Sequence, residues 1–457
     1  MSMTKISAVA QAINAELVGA DVTFNRVTTD SRAIEPGDLF VALRGDKFDG
    51  HAFVEQALAD GAVAVMVDHR VTEDMPALVV PDTRIGLGQL AAFWRNQFEI
   101  PVLAVTGSNG KTTVKEMLAS ILREACASLP NKDVAVLATQ GNLNNDIGMP
   151  LTLLGLRAQH RYAVIEMGMN HPGEIAYLSQ IARPDVALIN NAHAAHLAGL
   201  KTVEEVARAK GEIFEGLKQG GVAVINADDA YAPLWRQLIG DHTVIDFGVE
   251  SSAKVSASCQ LGVYETVMTI KNPQGEVKVV LQVPGMHNVR NALAASAAAL
   301  AINIPNEMIA AGLSKFSGVK GRLQRKACLH GATLIDDSYN ANPDSVKAAI
   351  SVLAAAPGKK VLVLGDMGEL GPGAEALHKQ IGVQAKQAGI DVLLAMGDLS
   401  RYTVEGFGTG AWHFERIQEL LADLENFLAP EVTLLVKGSR FMQMERVVKS
   451  FEIRSAA

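Results

Sequence analysis

At 457 residues the chain exceeds what one hydrophobic core usually supports, so two to four domains are expected. Hydrophobic residues make up 49% and charged residues 20%, a globular balance that argues against long disorder. A net charge of −8 argues against a nucleic-acid partner, and Cys126, Cys259 and Cys328 are too few and scattered for a disulfide framework or a zinc pattern.

The N-terminal stretch MSMTKISAVAQAINAELVGA carries apolar residues at helical spacing, interrupted by Lys5, Gln11, Asn14 and Glu16. It lacks the apolar core of a signal peptide, and no run of ~18 apolar residues occurs, so a soluble, cytoplasmic, not membrane-inserted protein is expected. Residues 1–83 alternate short strands and helices and close on PALVVPDTR, followed by a connecting helix in RIGLGQLAAFWRNQF. A second block, 84–316, opens with an apolar strand at Pro101–Val105, then a glycine-containing loop and the helix VKEMLASILREA. Further strands are expected at YAVIEMG, VALINNA and GVAVINA. KVSASCQ, YETVMTI and EVKVVLQV read as successive strands with Asn-Pro-Gln-Gly as a turn, before an Ala-rich helix at 288–301. In the third block, 317–457, apolar strands ATLIDD, KKVLVLGD, DVLLAMGD and EVTLLVKG are separated by helical segments, which implies a parallel sheet covered on both faces. Ligands bind beyond the C-terminal ends of such strands. The expected fold class is therefore α/β with three domains: a small N-terminal α/β domain, a central P-loop ATPase-like α/β domain and a C-terminal Rossmann-like parallel-sheet domain.

The loop Thr106-Gly107-Ser108-Asn109-Gly110-Lys111-Thr112-Thr113 joins a strand to a helix start. Backbone N–H groups and the positive helix end there suit phosphate oxygens, Lys111 adds a charge, and Thr112 offers a hydroxyl to Mg²⁺. The usual motif would place a glycine at Val105, so this is a shortened G-x-x-G-K-T loop. Glu166 ends the strand YAVIEMG and is either a solvated acid or a Mg²⁺ ligand. His193 and His196 are each open to a structural or a ligand role. On VEEVARAKGEIFEGLKQ the apolar face of Val206, Ala207, Ile213 and Phe214 includes Lys210. Two readings stand there: a snorkelling lysine, or a charge held for use in a site. Asn288 and Asn291 share a helix face and could bind a base or ribose, although N-capping by Asn288 is the simpler reading.

Taken together, TTDSRAIEPGDLFVALRGDKFDGHAFV, TGSNGKTTVKEM, GNLNNDIGMP, IEMGMNHPGEIA, AAHLAGL, ARAKGEIF, GMHNVRNALAA, DDSYNANPDS, GDMGELG and KGSR make the chain resemble the Mur ligase family of bacterial cell-wall synthesis, over almost its whole length. GNLNNDIGMP, MGMNHPGEI, DSYNANPDS and GDMGELG look specific to the member that adds D-Ala-D-Ala, and the shortened phosphate loop is the one this family uses. The resemblance implies an ATP-dependent ligase with Mg²⁺. Its substrates would be a UDP-linked muramoyl tripeptide and D-Ala-D-Ala, joined through an acyl phosphate, and a monomer is expected.

The same resemblance implies residue roles. Gly107, Ser108, Asn109, Gly110, Lys111, Thr112, Thr113, Asn288, Asn291, Arg322 and Asp337 would bind ATP. Thr112 and Glu166 would hold one Mg²⁺ and His196 a second. Lys210 would be the lysine that relatives carbamylate, able to bridge metal in that form. Ser31 and Arg32 would lie in the UDP-sugar site. Asn142, Asn144 and Asn145 would lie near the reacting groups, with Asn145 carried as a catalytic candidate beside Lys111, Lys210 and His196. Lys437, Ser439 and Arg440 are candidates for the dipeptide carboxylate, against the alternative of a solvated turn.

Overall fold

The structure, a computed structural model, describes residues 2–71, 75–194 and 197–453. These form two compact units, taken separately below: 1–106, 126–188 and 212–223 in the first, and 107–125, 189–211 and 224–457 in the second.

In the first unit, a five-stranded sheet has the order Glu16–Val18, Ala77–Val79, Ala64–Val67, Asp38–Val41, Arg26–Thr28. All its neighbours are parallel except Glu16–Val18, which runs antiparallel to Ala77–Val79. Every residue of Asp38–Val41 and Ala64–Val67 is buried, as expected for strands covered on both faces. In the same unit Val136–Ala138 and Val102–Thr106 flank Tyr162–Glu166 in parallel. The register pairs Val105 with Glu166, so Glu166 emerges at the C-terminal end of its strand, where ligands collect in such sheets.

The second unit begins with the phosphate loop and its helix, Lys111–Ala125. The three successive strands expected there, Ser256–Leu261, Thr266–Asn272 and Gly275–Leu281, pair as an antiparallel sheet. In the Ala-rich helix Met286–Leu300 every residue from Asn288 to Leu300 except Arg290 is buried, because alanine leaves room for neighbours on all sides.

The C-terminal part of this unit is a six-stranded sheet, Gln324–Ala327, Thr333–Asp337, Val432–Lys437, Lys359–Gly365, Val392–Met396, Ala411–Phe414. The four apolar strands expected from sequence are its parallel centre. Leu334, Val361, Val363, Leu394, Leu434 and Val436 enter one core, while Ile335, Leu362, Leu364, Leu393 and Leu435 enter the other. Alternation between two cores is what makes the strands read as continuous apolar runs. Two edge strands extend the sheet beyond the expectation. Gln324–Ala327 pairs antiparallel, and its half-exposed sequence QRKA carries no apolar signal.

Candidate active site

The phosphate loop is shaped by amides. Asn109 donates its N–H to Asn191 Oδ1 at 2.8 Å, and its carbonyl accepts from Asn190 Nδ2 at 3.0 Å and Asn191 Nδ2 at 3.1 Å. Its own Oδ1 accepts from Asn342 Nδ2 at 2.7 Å. Asn190 Nδ2 also donates to Asn291 Oδ1 (2.9 Å), Asn291 Nδ2 to Asn288 Oδ1 (3.3 Å), and Asn288 Nδ2 to the Pro284 carbonyl (2.8 Å). Gly110 sits at φ +79°, and a Cβ there would lie 2.3 Å from Asn291 Oδ1 and 2.6 Å from Asn190 Nδ2. Only glycine fits the turn that brings the chain to the N–H groups at the start of Lys111–Ala125, which have no partner within the helix. Lys111 Nζ donates to the Gly107 carbonyl at 2.7 Å, so its charge lies over the loop.

This network corrects the reading of Asn288 as an N-cap. The helix begins at Met286 after Gly285, and Asn288 is a buried member of its first turn. Both Asn288 and Asn291 hold the loop through a chain of amides. Asn190, Asn191 and Asn342 were not singled out from sequence; the pair of amides ending the strand VALINNA was the available signal.

Arg322 donates from Nη2 to Thr112 Oγ1 at 3.0 Å, and its guanidinium lies 4.4 Å from the centre of the Tyr339 ring. Asp337 accepts from the Leu323 N–H and pairs with Lys437 Nζ at 2.7 Å. Burial pushes the Asp337 carboxyl up, while Lys437 and Arg322 pull it back.

Lys210 lies on Val203–Gly211, after which the chain tightens into a 3₁₀ turn, Glu212–Gly216. At 1% exposure it does not snorkel, so that reading is corrected. Burial, and next the Lys111 charge, push its ammonium well below the ordinary lysine range, which favours the neutral, nucleophilic amine.

In the first unit, Glu166 is 2% exposed. Its N–H donates to Thr139 Oγ1 at 2.9 Å, and its Oε1 accepts from Asn144 Nδ2 at 2.7 Å. Its Oε2 is buried with no hydrogen-bond partner among the described residues. Leaving a buried carboxylate oxygen unmatched is costly, and a hard cation such as Mg²⁺ is the group that would satisfy it. Asn145 Oδ1 instead accepts from Gly148 N–H at 2.8 Å, at the start of the helix Gly148–Leu154. Among the three asparagines of that loop, Asn144 is therefore the one bonded to Glu166. Asn142 contributes a backbone carbonyl to the Asn144 N–H.

Ser31 and Arg32 open a 3₁₀ turn capped by Asp30. Arg32 is exposed and holds the Asp30 carboxyl down at about 2. Ser439 is buried, donating its hydroxyl to the Ala341 carbonyl and accepting from Gly368 N–H. Lys437 is buried with Asp337 and the Asn340 carbonyl as partners, whereas Arg440 is exposed and pairs with Glu445. His196 lies outside the described residues. His193, described, is 3.5 Å from Asp344.

Three family models match the chain: the Mur ligase middle domain at 105–299, the Mur ligase, glutamate ligase domain at 321–440, and the Mur ligase family, catalytic domain at 23–95. The chain belongs to the Mur ligase family. Among its relatives, the UDP-N-acetylmuramoyl-tripeptide–D-alanyl-D-alanine ligase of Escherichia coli (strain K12) is 44% identical, with 99% of each chain covered. The enzyme of that name from Bacillus subtilis (strain 168) is 37% identical, covering 93% of this chain and 92% of its own. Among solved structures, MurF from Acinetobacter baumannii superposes with TM-score 0.92 at 38% identity, covering 98% of both chains. MurF ligase from Thermotoga maritima in complex with ADP superposes with TM-score 0.81 at 26% identity, covering 93% of this chain and 96% of that one.

Proposed function

We propose that this chain joins D-alanyl-D-alanine to UDP-N-acetylmuramoyl-tripeptide, using ATP, in cytoplasmic peptidoglycan precursor synthesis. The observation that carries ATP use is the glycine turn at Gly110, fixed by Asn190 and Asn291, that delivers the chain to a helix start beneath Lys111. The acceptor and donor come from the named relatives, which match nearly end to end. The proposal divides the chain into a UDP-sugar domain (1–83), an ATP domain (84–316) and an acceptor domain (317–457).

A carboxylate in water does not condense with an amine, so one of its oxygens must first be made part of a better leaving group. In the first step a carboxylate oxygen of the tripeptide forms a bond to the γ-phosphorus of ATP, and the bond to the bridging oxygen breaks to release ADP. Lys111 and the loop N–H groups lower the repulsion between the two anions and hold the transferring group in line. Arg322, already on Thr112, would reach the same phosphates, and Asp337 the ribose. In the second step the dipeptide amine adds to the acyl carbon and loses a proton, and the C–O bond breaks to expel phosphate. Thr112 and Glu166 would hold one Mg²⁺ and His196 a second, which when bound neutralise phosphate charge. Lys210, as the neutral amine, suits carbamylation by CO₂, which would convert it to an anion able to bridge metal. Ser31 and Arg32 would meet the UDP-sugar, and Arg440, the exposed cation at the strand end, would meet the dipeptide carboxylate alongside Lys437 and Ser439.

Phosphate release measured with the UDP-linked tripeptide and ATP tests the reading. D-Ala-D-Ala is expected to support turnover where single amino acids do not. Equal turnover with a single amino acid, or ATP hydrolysis indifferent to any amine, overturns it.

A further inference from the structure

A second constellation lies in the first unit, built from residues that the ligation chemistry does not use. The strand Ala64–Val67 ends at Asp68 and His69, beside the turn Gly50–Phe53 that carries His51. His51 Nε2, Asp68 Oδ1 and His69 Nδ1 all lie within 4.8 Å of one another. His51 Nε2 and Asp68 Oδ1 are 3.2 Å apart, close to the ~3.3 Å edge of a tetrahedron with metal–ligand bonds of about 2.0 Å. The rings of His51 and His69 stack at 4.8 Å between centres.

The surroundings match what a metal-binding histidine needs. His51 Nδ1 lies 2.6 Å from Asp49 Oδ1, so the ring donates to that carboxylate and its Nε2 keeps the lone pair. A ligand histidine oriented by a carboxylate on its other nitrogen is the common arrangement at metal sites. Arg44 Nε takes Asp68 Oδ2 at 2.7 Å and its Nη2 donates to Oδ1 at 3.1 Å, while Oδ1 also faces the two imidazoles. Asp49 and Asp68 against the single guanidinium of Arg44 leave one net negative charge, so a cation is favoured. His51 is buried, which fixes one ligand, while His69 is half exposed, which leaves a path for entry.

Three contacts oppose binding. His51 Nε2 accepts the Asp68 backbone N–H at 3.1 Å, and a metal would take that lone pair. Asp68 Oδ1 accepts from Arg44 Nη2 at 3.1 Å and lies in close contact with His69 Nδ1, and a metal must displace both. The exchange gives up these three contacts for three metal bonds, while Arg44 Nε keeps its hold on Asp68 Oδ2. We propose that His51, Asp68 and His69 form a binding site for a divalent cation of the zinc class, with water as the fourth ligand and Asp49 as the positioning residue. Two imidazoles with one carboxylate suit zinc, cobalt or nickel better than magnesium. The ion ties the end of the strand Ala64–Val67 to the Gly50–Phe53 turn, so it stabilises this part of the chain and takes no part in ligation.

The test uses the full chain stripped of metal by a chelator and titrated with Co²⁺, read by its visible absorption. Wild type is expected to take up about one tetrahedral Co²⁺ per chain, displaced by Zn²⁺, and to melt at higher temperature with Zn²⁺ present. His69→Ala, a half-exposed position that leaves the fold intact, is expected to lose both the absorption and the thermal gain. Asp49→Asn is expected to weaken Co²⁺ binding by about 10- to 100-fold. Cobalt binding equal in wild type and His69→Ala means an adventitious ion only and overturns the site. A tetrahedral signal that survives in Asp49→Asn at full affinity removes Asp49 from it.

Discussion

Asn144 Nδ2 donates to Glu166 Oε1 at 2.7 Å, and the other oxygen, Oε2, is left buried with no hydrogen bond among the described residues. The amide thereby sets which oxygen of the carboxylate is available. Replacing Asn144 with alanine frees the carboxylate to rotate, and the Mg²⁺ concentration for half-maximal phosphate release should rise by about 10- to 100-fold. The measurement is a Mg²⁺ titration at saturating substrates, with nucleotide binding by calorimetry as a second readout. An unchanged Mg²⁺ dependence would remove Asn144 from this role.

Gly110→Ala places a methyl group against Asn291 and Asn190 at a backbone angle that L-residues disfavour. The strain should cost about 1–3 kcal/mol locally. ADP affinity should fall while circular dichroism stays that of the wild type. Wild-type affinity would mean that the loop adjusts without loss.

Lys111→Ala removes the charge over the loop and should cost about 10²–10³ in turnover, on the scale of losing a preorganised transition-state donor. Binding of the UDP-sugar should persist, because Ser31 and Arg32, its proposed contacts, lie in a 3₁₀ turn far from the loop in sequence. Steady-state kinetics and a UDP-sugar binding isotherm separate the two effects; wild-type turnover defeats the assignment.

Lys210 makes a prediction in pH. Its folded-state value is pushed well below 10.5, so the unfolded chain binds the proton more tightly. Stability attributable to this residue therefore rises with pH between its lowered value and 10.5. Lys210→Met should melt higher than wild type in CO₂-free buffer near about pH 7, and the gap should close towards about pH 10. A gap independent of pH would show that packing alone is being measured. Activity should be lost in Lys210→Ala and partly restored by short carboxylic acids if a carbamate is used.

How much of this was legible in the sequence follows from the range of each interaction. The strand before Gly107, the helix after it and the four central strands of the C-terminal sheet announce themselves, because burial on both faces leaves continuous apolar runs. Lys210 was visible as a charge on an apolar face, but only packing could show that it stays buried. The edge strand Gln324–Ala327 was invisible because its pairing uses backbone groups and its side chains stay half exposed. The amides around Asn109 come from positions 190, 191 and 342, and no periodicity links them to the loop. For Asn288 the local capping rule lost to a tertiary demand, since the helix starts two residues earlier and the amide serves Asn291 instead.

The walls of the phosphate loop consist of neutral amides joined to one another and to backbone carbonyls. Such groups neither gain nor lose protons in the range where enzymes are assayed, and they are only weakly screened by salt. The loop's shape is thereby uncoupled from acidity and ionic strength. Lys111 and Arg322 bring formal positive charge to the loop and its threonine. A change of turnover with pH then reports the reacting groups rather than a collapsing cradle.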